Sequence, residues 1–273
     1  METSDQGSMD DSSEIHPVSP AVRARVLSEL LRIESTHDVR VLYACESGSR
    51  GWGFASPDSD YDVRFVYVHR PQWYLSVHPG REVIERPIDD ELDVSGWELR
   101  KLLRLAHGGN AVPAEWLDSP IVYRAQTPFT AELRSTLDHV YRPERGFHHY
   151  LHMAAKNYRE HLKGERIRLK KYFYVLRPIL AADWILESTG RPPMRFEALL
   201  DGLLPAGGVR DAIDELLRVK RAAAESKYGP RVDVLNEFIE TRLESLSDRL
   251  PPPVSRSGTD ALDTLLFRAV MSP

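Results

Sequence analysis

The residues best suited to chemistry in this chain are Asp60 and Asp62. They stand eleven and thirteen positions after Ser49, in the run Glu46-Ser-Gly-Ser-Arg-Gly-Trp-Gly-Phe-Ala-Ser-Pro-Asp-Ser-Asp60-Tyr-Asp62-Val-Arg-Phe-Val-Tyr-Val68. Side chains on a strand repeat every second residue, so Asp60 and Asp62 project from one face and Tyr61 from the other. Two neighbouring carboxylates repel unless a cation lies between them. Hard oxygen donors in an open site suit Mg²⁺, above all where substrate phosphates complete its coordination. Gly48 and Ser49 supply the complement, an unobstructed backbone amide and a hydroxyl that can approach a phosphate closely. The pattern points to metal-dependent chemistry on a nucleoside triphosphate.

Holding these groups takes two strands and a turn. The apolar run Val39–Cys45 predicts the first strand and Tyr61–Val68 the second, with the small-residue turn between them. Ahead of them, Val22, Val26, Leu27, Leu30, Leu31 and Ile33 recur at helical spacing between Pro20 and Ser35. Residues 1–19 are acidic, serine-rich and nearly free of aliphatics, the composition of a disordered tail. Further extended pieces are expected at Glu82–Ile84 and Leu92–Val94. Ser95 with Glu98 three residues later forms a capping-box pattern for a helix over Gly96–His107, closed by Gly108-Gly109. Between Ala114 and Val140 the order is a short helix, a strand at Ile121–Arg124 and another helix.

Beyond Arg145 the pattern turns almost wholly helical, with helices expected over 147–163, 165–189, 194–201, 208–224 and 231–248. Pro251–Pro253 and Ser255–Gly258 form a linker before a last short helix, Asp260–Val270. The organisation expected is a tail (1–19), an α+β catalytic domain built on a small mixed sheet (20–142), and a helical substrate- or nucleotide-binding domain (143–273).

The bulk numbers agree. A length of 273 residues permits two modest domains, and 42% hydrophobic with 9% aromatic residues permits a normal core. A net charge of −5 excludes a generally basic nucleic-acid binder while leaving room for a locally basic groove. The single cysteine, Cys45, rules out an internal disulfide framework and a cysteine-rich zinc site. No apolar run approaches the ~18–20 residues needed to span a bilayer, and the first residues lack a basic-then-apolar secretory pattern. A cytoplasmic protein with no membrane partner is expected.

Two other readings of the central motif fail on spacing. Asp58, Asp60 and Asp62 imitate the start of a calcium loop, but its sixth position is Val63 instead of glycine and its twelfth is His69 instead of Glu. The Gly48–Gly53 segment has neither Gly-Lys-Ser/Thr nor Gly-x-Gly-x-x-Gly. A plain polar turn before a strand is the remaining competitor.

Strand, Gly-Ser turn and Asp-x-Asp opening the next strand resemble the nucleotidyltransferase fold of the DNA polymerase β superfamily. More closely, the chain resembles a bacterial family of predicted nucleotidyltransferases associated with RNA-repair ligases. The residues that carry this are Gly48-Ser-Arg-Gly-Trp-Gly-Phe54, Ser59-Asp-Tyr-Asp-Val-Arg64, Gly96-Trp97 with Lys101, Asn110 with Glu115-Trp-Leu-Asp-Ser-Pro120, and Lys170-Lys-Tyr-Phe-Tyr-Val-Leu-Arg-Pro178. They span nearly the whole chain beyond residue 20.

The resemblance implies a polymerase β-like catalytic domain in which Asp60 and Asp62 hold two Mg²⁺ ions, with Mn²⁺ as a substitute. It also implies a third carboxylate from a neighbouring strand. Asp93 fits best, flanked by Leu92 and Val94 as a strand would be; Glu91, on the same expected face, remains the alternative. The reaction implied is in-line attack of a hydroxyl on the α-phosphorus of ATP or another nucleoside triphosphate, releasing pyrophosphate. An RNA 3′ end is suggested as acceptor, with a functional link to an RNA ligase, by the family's association alone. A protein hydroxyl, as in a toxin–antitoxin regulator, and a small molecule are the other acceptors this fold serves. A reading of a different class is a non-catalytic nucleotide- or RNA-binding partner that uses the same pocket.

Several further residues are candidates. Ser49 and Arg50 are expected phosphate contacts, although Arg50 also reads as an exposed turn charge. Arg64, on the Asp60/Asp62 side of its strand, would pair with them and keep them ionised. The basic run Arg166–Lys171 reads first as a solvated helix face. However, Lys170, Tyr174 and Arg177 fall on one helical stripe that could clamp a triphosphate and stack on a base, with Lys171 about 100° around the helix as an alternative. Pro178 is expected to kink or end that helix. His148, His149 and His152 lack the Glu of a zincin motif and read as ordinary histidines. Cys45 reads as packed, and Trp97, Trp116 and Trp184 as core residues on helices.

Overall fold

The computed structural model describes residues 17–78, 80–87, 91–188, 190–222, 228–252 and 258–272. The expected tail therefore lies outside the described residues except for its last three, as does most of the expected linker. Chain order is α1 (Pro20–His37), β1 (Val39–Glu46), α2 (Gly48–Gly51), β2 (Tyr61–His69), α3 (Pro71–Tyr74), β3 (Val83–Glu85), β4 (Leu92–Glu98), α4 (Leu99–His107), α5 (Val112–Leu117), β5 (Val122–Ala125) and α6 (Thr127–Val140). The more helical remainder is α7 (Pro143–His161), β6 (Arg166–Arg168), α8 (Lys170–Ser188), α9 (Phe196–Leu203), α10 (Gly208–Ala222), β7 (Tyr228–Pro230), α11 (Asp233–Ser247) and α12 (Asp260–Met271). This is an α+β arrangement. No helix among the described residues is long and apolar enough to cross a membrane.

The main sheet has five strands in the order β3-β4-β2-β1-β5. Only β2 and β4 run parallel; the other neighbours are antiparallel. α1 starts where Ser19 accepts from the Val22 amide and Pro20 takes the first turn, where its missing N–H costs nothing. Its buried stripe of Val26, Leu30 and Ile33 covers one face of the sheet, against Val41, Val63, Phe65 and Val94. Leu42, Tyr43, Cys45, Val66 and Val68 belong to the other layer, with Leu99, Leu102, Leu133 and Leu137 of α4 and α6. α12 joins this same layer through Leu262, Leu265 and Ala269, so the last helix packs back on α4, α6 and β2 of the N-terminal half. Arg40 donates to the Ala269 carbonyl at 2.6 Å and to that of Ser272 at 3.1 Å, capping its end.

The third core lies among α7 to α11, and it takes in Phe54 from the loop between α2 and β2. Phe54 is fully buried, stacked on Phe173 at 5.0 Å and edge-on to Phe196 at 5.7 Å. Burying such a ring stabilises by about 1.5–3 kcal/mol. The Phe196 amide also donates to the Trp52 carbonyl at 2.9 Å. The helical half thus fastens the loop that leads from the Gly-Ser turn to the Asp-x-Asp.

Four local expectations are corrected. Ser95 does not cap a helix over Gly96–His107: β4 runs on to Glu98, with alternating burial and parallel pairing to Tyr61–Tyr67. Gly96 lies flat against the Phe65 ring, where any Cβ would collide. Glu98 is the cap instead, its carboxylate accepting from the Arg100 and Lys101 amides. Trp97 is consequently a strand residue, packed on Trp116 at 4.4 Å. The helix expected over 165–189 is split, because Arg166–Arg168 pairs with Tyr228–Pro230 before α8 begins. Finally, of the two outcomes expected at Pro178, a kink or an end, the end is excluded, because α8 continues to Ser188.

Candidate active site

The parallel pairing of β2 with β4 sets Asp62 opposite Asp93 and Arg64 opposite Ser95, on the face left partly open at this end of the sheet. Arg64 joins the two carboxylates. Its Nη2 donates to Asp62 Oδ1 at 3.0 Å and to Asp93 Oδ2 at 2.7 Å, while Nη1 donates to the Val63 and Asp93 carbonyls at 3.0 and 3.1 Å. The guanidinium therefore stands where two like charges need a cation. Asp60 is exposed just ahead of β2. Glu91 is exposed too, and its carbonyl accepts from the Tyr61 amide at 2.7 Å. Of the two candidates for a third carboxylate, Asp93 is the one brought beside Asp62.

Behind this pair lies a group that sequence reasoning missed. Glu46, at the end of β1, is fully buried. Its Oε1 accepts from the Asp62 amide at 2.8 Å and its Oε2 from the Tyr123 hydroxyl at 2.5 Å. The Ser47 amide donates back to the Asp62 carbonyl at 2.8 Å, so Asp62 is held from both sides of its peptide. Burial pushes the Glu46 carboxyl up to about 7, against the opposing pull of Tyr123 and the Asp62 amide. A lone carboxylate closing an apolar strand, directly before Ser-Gly-Ser, was the signal available for it.

The turn itself is one helical turn, α2, entered through Gly48 at φ +53°. A side chain there would do more than strain the backbone. A Cβ on Gly48 would lie 2.6 Å from the Asp62 Cγ and closer still to Oδ2. Gly51 is restricted in the same way, its Cβ position lying 2.5 Å from the Met194 methyl and 2.9 Å from the Glu46 carbonyl. These two glycines let the turn press against the Asp62 carboxylate on one side and Met194 of the helical half on the other. Ser49 is buried and its carbonyl accepts from the Phe54 amide at 2.9 Å. Arg50 is not an exposed turn charge: it is buried, with Nη2 donating to the Ser59 carbonyl at 2.8 Å and its guanidinium 4.0 Å from the Tyr61 ring centroid.

The stripe from α8 divides. Tyr174 meets Trp52 edge-on at 5.6 Å, Lys171 lies 5.2 Å from the Tyr174 centroid, and Lys170 is half-buried at the helix start. Arg177 is only 2% exposed and points into the interior. There its Nη1 pairs with Glu115 at 3.0 Å, its Nε donates to the Met194 carbonyl at 3.2 Å, and its guanidinium lies 4.8 Å from the Trp52 ring. Glu115 also accepts from the Tyr150 hydroxyl at 2.5 Å. Trp52, two residues past Arg50, thus gathers Tyr174 and Arg177 on the flank of the turn.

Other side chains keep ordinary roles. Cys45 is fully buried, which pushes its thiol far up and leaves it unreactive. His148 and His152 stack on each other at 6.2 Å. Among the described residues no three His, Cys, Asp or Glu side chains converge closely enough to hold a metal ion in this arrangement. The donor chemistry nevertheless fits a divalent cation: two aligned hard-oxygen ligands, a third carboxylate two residues upstream, and a positive group already drawn between them.

The comparisons with known proteins concern nearly the full chain. Residues 22–268 match the family model described as RlaP, RNA repair pathway DNA polymerase beta family. The uncharacterized protein YcgL of Bacillus subtilis (strain 168) is 45% identical over 251 residues, 91% of this chain and 96% of that one. A nucleotidyltransferase-like protein from Exiguobacterium sibiricum 255-15, with a solved structure, aligns at 13% identity over 89% of this chain and 77% of its own, with a TM-score of 0.29, too low to support an argument. With a family model covering nine-tenths of its length and a near-full-length relative at 45% identity, the chain belongs to the RNA repair pathway DNA polymerase beta family of nucleotidyltransferases.

Proposed function

We propose that this protein is a Mg²⁺-dependent nucleotidyltransferase that moves a nucleoside monophosphate from a nucleoside triphosphate onto an RNA 3′ hydroxyl. The observation that carries the reading is the in-register pair Asp62 and Asp93, with Asp62 packed against the left-handed Gly48. Asp60, Asp62 and Asp93 would hold the divalent ion or ions. When bound, such ions lower the pKa of the attacking hydroxyl and neutralise charge on the leaving oxygen.

The protein's own contribution is mainly placement. Gly48 and Ser49 bring a backbone amide and a hydroxyl to the phosphates, and Arg50 stiffens that turn through Tyr61 and the Ser59 carbonyl. Lys170, Lys171 and Tyr174 offer cations and a ring for the triphosphate and base. Arg177 supports them from beneath, through Glu115 and Trp52. The acceptor oxygen forms a bond to the α-phosphorus, the bond to the bridging α–β oxygen breaks, and pyrophosphate leaves. The hydroxyl proton passes to Asp93. Arg64 must give up its place between Asp62 and Asp93 for this to happen, and that contact supports a second reading, a nucleotide- or RNA-binding partner without turnover.

The acceptor is tested with α-³²P-labelled nucleoside triphosphates and an RNA oligonucleotide carrying either a free or a 3′-deoxy end. Label on the free-ended RNA alone supports the proposal. Label on a polypeptide or small molecule from added lysate, with none on RNA, replaces the acceptor. Nucleotide binding without labelling of anything favours the binding partner.

A further inference from the structure

Residues 166–171 carry four cations and no acid in a chain of net charge −5. The two-stranded antiparallel sheet of β6 and β7 displays part of this run. Ile167 is buried, so strand alternation turns Arg166 and Arg168 outward together. Arg168 pairs in register with Tyr228, and its guanidinium lies 5.5 Å from that ring's centroid. Tyr228 is 52% exposed, an unusual position for a large aromatic side chain. A Cβ on Gly229 would lie 2.9 Å from Leu169, so β7 is seated tightly against the residue that leads into α8. Arg231, just past β7, is already taken by Asp233 at 3.2 Å.

From this small sheet a succession of rings and cations leads to the Gly-Ser turn. Lys171 follows Arg168 and lies over Tyr174; Tyr174 meets Trp52; and the Trp52 amide donates to the Gly48 carbonyl at 2.9 Å. Burial, and after it the nearby charges of Lys170 and Arg168, hold the Lys171 ammonium below its ordinary value. Sequence-tolerant single-strand binders are built this way, with cations tracking the phosphates and aromatic faces taking the bases. A duplex keeps its bases stacked inside and cannot use such platforms. A small-molecule acceptor would need no surface extending this far from the turn.

We infer that the two-stranded β6–β7 sheet, through Arg166, Arg168 and Tyr228, is the docking surface for a single-stranded RNA whose 3′ end reaches the Gly48–Ser49 turn by way of Lys171, Tyr174 and Trp52. The inference rests on the RNA-acceptor reading above. It adds where the strand lies and why it must be single.

The test is fluorescence anisotropy of a 5′-labelled, unstructured 12-nucleotide RNA on the full chain, with Mg²⁺ and no nucleoside triphosphate. Tyr228→Ala should weaken binding by about tenfold, the loss of one stacked base, whereas Tyr228→Phe should bind as wild type. Arg168→Ala should lower the slope of log affinity against log salt by about 0.7. The same RNA annealed to its complement should bind more weakly. The thermal shift induced by nucleoside triphosphate should be the same in these variants as in wild type, showing that they fold. The inference is overturned if wild type does not bind the RNA, if both alanine variants bind within twofold of wild type, or if duplex binds as tightly as single strand. Because no turnover is read, an RNA-binding protein that never releases pyrophosphate would contradict the transferase reading and leave the surface standing.

Discussion

Gly48→Ala should separate placement of the carboxylates from the rest of the fold. Two costs can be worked out. Gly48 sits at φ +53°, where an L-residue pays about 1–2 kcal/mol. The new Cβ would also lie 2.6 Å from the Asp62 Cγ, whereas carbons in contact sit about 3.5–4.0 Å apart. The carboxylate must therefore move by about 1 Å, which breaks the 3.0 Å contact with Arg64 and parts Asp62 from Asp93. A misplacement of that size costs about a hundredfold in rate. The backbone cost should lower the unfolding midpoint by a few degrees, at about 2–4 °C per kcal/mol. Gly207→Ala is the control, with positive φ and nothing within 4 Å of its Cβ. The assay is pyrophosphate release under saturating substrate, beside thermal unfolding and Mn²⁺ binding by electron paramagnetic resonance. The account expects Gly207→Ala to lose stability alone and Gly48→Ala to lose stability, Mn²⁺ affinity and rate. A Gly48→Ala protein active to within threefold of wild type would refute the reasoning.

Three further outcomes are expected. Arg64→Met removes the cation that a metal must displace, so Mn²⁺ affinity should rise by up to about tenfold, the worth of one or two partly exposed ion pairs; a fall would mean that Arg64 helps to hold the ligands. In chelator, Glu46 keeps a proton in the folded state up to about pH 7 that the unfolded chain releases near its ordinary 4.5. Stability should therefore decline as pH rises between these values and stay level above, and Glu46→Gln should flatten that decline in denaturant titrations; parallel profiles would contradict the burial argument. Arg177→Ala leaves the Glu115 carboxylate buried without its cation and should cost about 3–5 kcal/mol in urea unfolding. A loss under about 1 kcal/mol together with a raised KM for nucleoside triphosphate would instead put Arg177 on the nucleotide.

The parts of this site that were legible in the sequence are those set by local period. Alternation puts Asp62 and Arg64 on one face of β2, with Asp60 just ahead of the strand, and the glycines at 48 and 51 announce the turn. The rest of the arrangement depends on pairing between distant segments. Asp93 reaches Asp62 because β4 inserts parallel beside β2, with β3 pushed to the edge, and no local pattern encodes that order. Arg64 could be assigned to the correct face, but its reach to Asp93 required the register. Glu46 looked like the end of an apolar strand; its role arises from Tyr123, 77 residues away. The basic run was read as helix because three-residue strands such as Arg166–Arg168 are too short to show their period, and their partner lies at Tyr228–Pro230. Trp97 was misread for a related reason: Gly96 and Trp97 continue a strand whose alternation becomes plain only once Phe65 lies against Gly96.

The most direct test of the central claim is Mg²⁺-dependent pyrophosphate release from each of the four nucleoside triphosphates, with and without RNA, by wild type, Asp60→Ala and Asp93→Asn. The account predicts release by wild type that requires both Mg²⁺ and RNA, with both variants reduced by at least about a hundredfold while remaining folded. Release undiminished in either variant, or none from wild type with any nucleotide, would contradict it.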